Sequence, residues 1–259
     1  MRLVTVLYLI FLAAPIFLLL VGSFGEVWSN TLLPQGFTWR WYSEIVNDPS
    51  FVRAFMTSLQ VMVATCVLNV LVGLPLAYAI HSAAHRGVRF AARLAALMPV
   101  AAPELVLAFG FILVFSSDTL PWLGSIWLLV AAHLVLTLPY SVTTLLADME
   151  QIQLGEYEAV ASSLGANFFQ RARDVVVPLL GTSLTSALLT VAALSIGEFQ
   201  ISNLISGFLS RTYPVTLLQA FYGATGFACA ATVVLLVLAA LASVASSLTA
   251  RATSGGRAS

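Results

Sequence analysis

The chain has 259 residues, 60% of them hydrophobic and only 8% charged, where a soluble domain carries about a quarter charged. Its formal net charge is zero, which gives no basis for binding nucleic acid or a strongly acidic partner. All eleven basic residues are arginine. That excludes a G-x-x-x-x-G-K-[ST] phosphate loop and a lysine Schiff base, so any ATP-driven work falls to another chain.

Six stretches are long and apolar enough to cross a hydrocarbon core of about 30 Å. In chain order they are Leu3–Val21, Phe55–Ile80, Leu94–Phe115, Ile126–Leu146, Leu179–Ser206 and Val215–Val244. The expected fold class is therefore an all-α membrane protein, a single domain over residues 1–250 with a Ser/Gly/Ala-rich disordered tail at Arg251–Ser259. Arg2 ahead of the first apolar run has the look of a signal peptide. The run is long for one, and no small-x-small site follows promptly after Gly22, so a retained helix is expected.

With six spans the loops fall into two sets. One holds Arg2, Arg86, Arg89, Arg93, Arg171, Arg173, Arg251 and Arg257; the other holds Arg40, Arg53 and Arg211. Eight against three places both termini and the segment around Gly165 in the cytoplasm. The outward loop carries Trp28, Phe37, Trp39, Trp41 and Tyr42, a composition that fits an interfacial belt and equally fits plain packing. Arg86, Arg89 and Arg93 form a cytoplasmic patch best explained by orientation and headgroup contact. Cys66 and Cys229 lie in apolar runs and, beside only three histidines, give no metal site.

Ionisable groups inside a membrane are costly, so each invites a functional and a packing reading. Glu104 follows Pro103 and stands eleven residues beyond Arg93, about 16 Å along a straight helix. It either lines a cavity opened by the Pro99 and Pro103 break or is a protonated, hydrogen-bonded group. Glu198 stands about 30 Å along the fifth span. With Gln200 and Asn203 it serves either a solute pathway or helix packing. On this arithmetic the two glutamates differ in depth by more than about 10 Å and do not share a site. His133 reads as a satisfied core histidine, while Asp118 and Asp148 sit at span ends facing water.

Between the fourth and fifth spans lies Glu156-Tyr157-Glu158-Ala159-Val160-Ala161-Ser162-Ser163-Leu164-Gly165, with Pro178 thirteen residues after the Gly. Tyr157, Val160, Ala161 and Leu164 fall on one helical face. Glu156 and Glu158 suit a first turn, Gly165 a left-handed stop, and Asn167 with Gln170 a capping box. Pro178 suits the first turn of the fifth span. Taken alone, such a segment could be an amphipathic linker on the bilayer surface.

The stretch resembles the cytoplasmic loop of permease subunits of type I ABC importers, whose pattern is E-A-A, three residues, Gly and then a Pro about a dozen residues on. Glu158-Ala159, Ala161, Gly165 and Val177-Pro178 carry the resemblance, with the Glu one position further from the Gly than is usual. Leu97-Met98-Pro99-Val100-Ala101-Ala102-Pro103 is similar to the broken third helix of the same family. Gly197-Glu198-Phe199 resembles the corresponding position in permeases for molybdate, sulfate, ferric iron and phosphonate-type solutes.

The resemblance implies that this loop is a coupling helix seated on an ATPase. Glu156, Glu158, Ala159, Ala161, Leu164, Gly165, Ala166 and Phe168 would make the contact. It implies a second permease subunit, two ATPase subunits that hold ATP and Mg, an external solute-binding protein and no cofactor on this chain. The solute implied is a phosphonate, a polyamine or a related small polar nutrient. An ion-gradient transporter and a non-transporting assembly protein are the rival readings. The first would call for a charge relay and repeated halves; the second would not need a broken helix beside Glu104.

Overall fold

The computed structural model describes residues 2–28, 31 and 33–255, and their side chains between residues 4 and 240. Among these residues the chain forms helices and turns, with isolated bridges pairing Val27 with Gln35 and Gly124 with Ser206 and no strand. Helix α1 is Arg2–Ser23, α2 Arg40–Asn47, α3 Pro49–Leu68, α4 Leu74–Ser82, α5 Arg86–Ala101, α6 Glu104–Phe115 and α7 Ile126–Gln151. Then come α8 (Leu154–Ser163), α9 (Phe168–Arg171), α10 (Val177–Leu179), α11 (Gly181–Gly197), α12 (Gln200–Ile205), α13 (Tyr213–Phe221) and α14 (Thr225–Gly255).

Val4–Ser23, Pro49–Ser82 and Ile126–Gln151 are each long and apolar enough to cross a membrane. Two more runs qualify only as pairs across a sharp bend: α5 with α6 at 94°, and Phe168–Leu179 with α11 at 68°. Thr225–Ala240 is apolar but shorter.

Several stretches expected to be continuous are therefore broken, each for a local reason. The third breaks at Ala102 and Pro103, not at Pro99, which α5 carries inside it. Proline drives the residue before it out of the helical region, and Ala102 is extended at φ −85°, ψ 133°. The fifth bends near Leu180 and opens at Glu198 and Phe199, where Glu198 is extended. The sixth is interrupted between Phe221 and Thr225, around Gly223, a residue that costs about 1 kcal/mol in a helix interior. The expected tail begins inside α14, which continues to Gly255; Ala and polar residues there extend an existing helix at one new hydrogen bond per residue. Residues 256–259, with Arg257, lie outside the described residues.

Two prolines also reshape helices without breaking them. Pro75 and Pro178 each follow a π-helical turn, Asn69–Gly73 and Ala172–Val176. A proline has no N–H and its ring clashes with the carbonyl four residues back. Widening the preceding turn to i→i−5 bonds (Leu74 N–H to Asn69 O, Val177 N–H to Ala172 O) relieves that clash. Pro178 thus sits in a widened continuation of the helix begun at Phe168 and not in the opening turn of a new span.

The chain packs as two units. The first comprises residues up to Thr57 and Arg211–Leu241. Its core is Trp41, Ile45 and Phe51 against Tyr213, Leu217, Ala230 and Ala231. Trp41 donates its indole N–H to Gly25 O at 2.7 Å, and Tyr213 its hydroxyl to Ala231 O at 2.9 Å. Phe24, Phe37, Trp39 and Tyr42 form a ring cluster beside it. Trp41 is thus a core residue, whereas Phe37 and Trp39 are exposed. Helix α1 turns nearly all its apolar side chains outward.

The second unit, built on Ser58–Ser210, is organised along α7, which opens with Ser125 Oγ accepting from the Leu128 N–H at 3.2 Å. One half of α7 packs Leu128, Leu129 and Ala132 against Val61, Ala108, Ile201 and Ile205. The other packs Val142, Leu145 and Met149 against Ala77, Ile80, Leu154, Val176 and Leu180. Between the two cores lies a polar layer: Asn69 Nδ2 donates to Thr137 Oγ1 at 2.9 Å, and Ser141 Oγ donates to Asn69 Oδ1 at 2.6 Å. Such groups persist in an apolar interior because they satisfy one another.

Candidate docking element and cavity

The segment between α7 and α11 is built by local rules. Gln153 adopts the left-handed region at φ 54° and turns the chain into α8. Leu154 is fully buried and anchors the helix to the core. Glu156 is in the first turn; Glu158, two residues further, is not. The helix ends in a full Schellman arrangement: the Ala166 N–H bonds Ala161 O at 3.0 Å, the Gly165 N–H bonds Ser162 O at 3.0 Å, and Gly165 has φ +86°. Asn167 and Gln170 then form the reciprocal capping box that opens α9.

The apolar side chains of this element face outward. Leu164 is 84% exposed, Phe169 79% and Val160 62%, with Tyr157 and Phe168 also exposed. Ala159 is exposed as well, whereas Ala161 and Ala166 are half-buried. Glu158 turns inward: it accepts a 2.6 Å hydrogen bond from the Tyr78 hydroxyl and pairs with Arg171 at 3.7 Å. Helices α4, α8 and α9 are thereby clasped together. Phe169 was not among the residues singled out by sequence; its place beside Phe168 was the available signal.

Of the basic patch, Arg93 pairs with Glu150 and Arg89 donates to Ala83 O at 2.8 Å, so both make defined contacts beyond the surface role expected. Asp118 is exposed as expected, but Asp148 is half-buried with Oδ2 enclosed, because α7 continues past it to Gln151.

A cavity of about 410 Å³ opens in the same unit. Glu104, Glu198 and Gln200 line it together with His133, Thr137, Tyr140 and Ser195. The depth arithmetic that separated the two glutamates is overturned, since it assumed straight helices where the 94° bend brings Glu104 back beside α11. Asn203 is exposed and does not line the cavity.

Glu198 is buried, and its carboxylate caps the start of α12. It accepts from the Ile201 N–H at 2.6 Å, the Ser202 N–H at 2.9 Å and the Ser202 hydroxyl at 2.5 Å. His133 is 1% exposed, with Nδ1 2.8 Å from Ser195 Oγ and Nε2 3.0 Å from Ser202 Oγ. It is the satisfied core histidine expected, but it also joins Glu198 at the cavity wall. Nothing in the sequence spacing ties residue 133 to residues 195 and 202.

Three apolar helices of membrane-crossing length, with two more bent pairs, make this a multi-pass membrane protein. Residues 69–254 match the family of binding-protein-dependent transport system inner membrane components. The chain belongs to that family, and it is a permease subunit of an ABC uptake system, a component of the inner membrane.

Two relatives show the range. PhnV of Salmonella typhimurium, assigned to 2-aminoethylphosphonate transport as a permease, is 29% identical over 215 residues, spanning 82% of this chain and 79% of its own. PotC of Escherichia coli K12, a spermidine/putrescine transport system permease, is 28% identical over 247 residues, 93% and 90% of the two chains. The fold matches a chain of a bacterial alginate ABC transporter solved with its alginate pentasaccharide-bound periplasmic protein. There the TM-score is 0.74 at 18% identity, over 97% of this chain and 93% of that one.

Proposed function

We propose that this subunit crosses the membrane six times, the bent α5–α6 and α9–α11 pairs each serving as one span, with both termini and α8 on the cytoplasmic side. Residues 1–250 form one permease domain. Helix α8 and the Gly165 turn are the coupling element for a separate ATPase, which binds and hydrolyses ATP with Mg. A second permease subunit supplies the other half of the passage, and an external binding protein delivers the solute.

The observation that carries this reading is the outward apolar face of α8. Tyr157, Val160 and Leu164 are exposed although Leu154 on the same helix is buried, so the element is anchored to this chain at one end and open at the other. Burying a Leu side chain stabilises a contact by about 1.5–3 kcal/mol. Docking would then rest on Leu164, Val160, Ala159 and the aromatic pair Phe168 and Phe169. Glu156 and Ala166 would flank the contact, and Glu158 and Ala161 would support it from behind.

The test is Gly165→Asp, which puts a side chain on a left-handed residue and a negative charge at a helix C-terminus, both unfavourable. Recovery of the ATPase with the permease from membranes should fall at least about tenfold, with the amount of permease in the membrane unchanged. Undiminished recovery, or crosslinks from Ser162 that capture only lipid, would contradict the coupling role.

For the solute, the cavity wall counts. It holds the carboxylates of Glu104 and Glu198 and no arginine, which favours an amine over a phosphonate or other oxyanion. Mass spectrometry of the ligand retained by the co-purified binding protein decides this; a bound oxyanion would overturn it.

A further inference from the structure

The break in the chain at Glu198 and Phe199 is held from outside by a residue on another helix. Ser195 lies in α11 before the break and Ser202 in α12 after it, and His133 of α7 touches both. The Ser202 hydroxyl donates to Glu198 Oε2, so its oxygen receives the Nε2–H of His133, and Nε2 also stands 3.4 Å from Glu198 Oε2. On the other side of the ring Nδ1 is hydrogen-bonded to the Ser195 hydroxyl. The result is a chain linking Ser195, His133, Ser202 and Glu198 that ends on the carboxylate capping α12.

We propose that His133 is a positioning residue for the passage. By binding one hydroxyl on each arm of the break, it fixes the angle between α11 and α12 and thereby the cavity wall that carries Glu198 and Gln200. The part of the proposal that concerns transport rests on reading the cavity as the passage; the fixing of the break does not.

Apolar packing alone would serve poorly here. Side chains such as Ile201 and Ile205 hold α12 against α7 but do not specify the direction in which the chain leaves Glu198. Two hydrogen bonds from the opposite sides of one rigid ring do specify it. The imidazole is 1% exposed, so water does not compete for either nitrogen.

The experiment uses the full transporter complex in membrane vesicles and compares His133→Leu with His133→Gln. Leu keeps most of the volume without a hydrogen bond; Gln offers a donor and an acceptor. Hydrogen exchange over residues 198–206 is followed in D₂O, and a membrane-impermeant maleimide is used on Gln200→Cys, with Asp118→Cys as the reference. His133→Leu should raise exchange in that segment at least about tenfold and shift the Gln200→Cys labelling rate at least about fivefold, leaving Asp118→Cys unchanged. His133→Gln should return both within about threefold of the native protein.

Native exchange in the Leu variant would overturn the proposal, as would a Gln variant no better than Leu. If the Leu variant fails to assemble, Ser202→Ala removes the same link with little change in volume and should raise exchange by at least about threefold; unchanged exchange would overturn the proposal there too. Should Gln200→Cys in the otherwise native chain label from neither side while exchange responds as expected, the passage reading fails and the role of His133 at the break stands.

Discussion

Two polar regions of the second unit are built in opposite ways. In the α8–α9 element the bonds that shape the backbone join near neighbours: Ala166 to Ala161, Gly165 to Ser162, and Asn167 with Gln170. Around Glu198 the decisive links join residues 62 and 69 positions apart. The first region shapes itself from its own backbone and leaves Tyr157, Val160 and Leu164 without cover. The second spends its polar groups on one another and has few left over. A surface made to meet a partner can be local, because the partner completes it. A bend inside a membrane must be completed within the chain, since an unsatisfied group there costs several kcal/mol.

The largest effect that would break this contrast is expected at Glu198. Glu198→Ala removes the cap of α12 and leaves the Ile201 and Ser202 amides without their acceptor in a buried site. The loss should be about 2–4 kcal/mol, combining a cap with a buried unsatisfied donor. It would be read as a lowered unfolding temperature of the permease purified without the ATPase. Leu164→Glu, on the exposed face of the other region, should move stability by no more than about 0.5 kcal/mol. Comparable losses in the two variants would mean that the α8 face is covered by this chain itself and is not open to a partner.

The same contrast explains what could be read from the sequence. The Gly165 stop and the Asn167–Gln170 box were legible because each follows from residues within five positions. So were the apolar stretches, as composition. Their continuity was not. Pro99 lies within a helix while Pro103, four residues on, marks a 94° bend, and residue type alone does not tell the two prolines apart. Once that bend is missed, a rise of about 1.5 Å per residue puts Glu104 and Glu198 at different depths, and the cavity they share disappears from view. His133 could be recognised as buried but not as a partner of Ser195 and Ser202, because no periodicity links α7 to α11 and α12. Asn203 was grouped with Gln200 by proximity in sequence, yet of the two only Gln200 lines the cavity.

A smaller loss than at Glu198 is expected where a long-range bond enters the local region. The Tyr78 hydroxyl reaches Glu158 across 80 residues of sequence, and Arg171 Nε stands 3.7 Å from the same carboxylate oxygen. Tyr78→Phe deletes that hydroxyl and keeps the ring beside Phe168, whose centroid lies 6.1 Å away. Glu158 retains Arg171, and the site is only half-buried, so the loss should be held to about 1 kcal/mol. That corresponds to about fivefold faster hydrogen exchange over Leu154–Ser163, with the capping box at Asn167 and Gln170 unaffected because its bonds are internal to α9. If both segments loosen together, the clasp organises the whole element and the local rules do not suffice to shape it. If neither does, Leu154 alone anchors α8, and the inward turn of Glu158 has no mechanical role in holding the docking face.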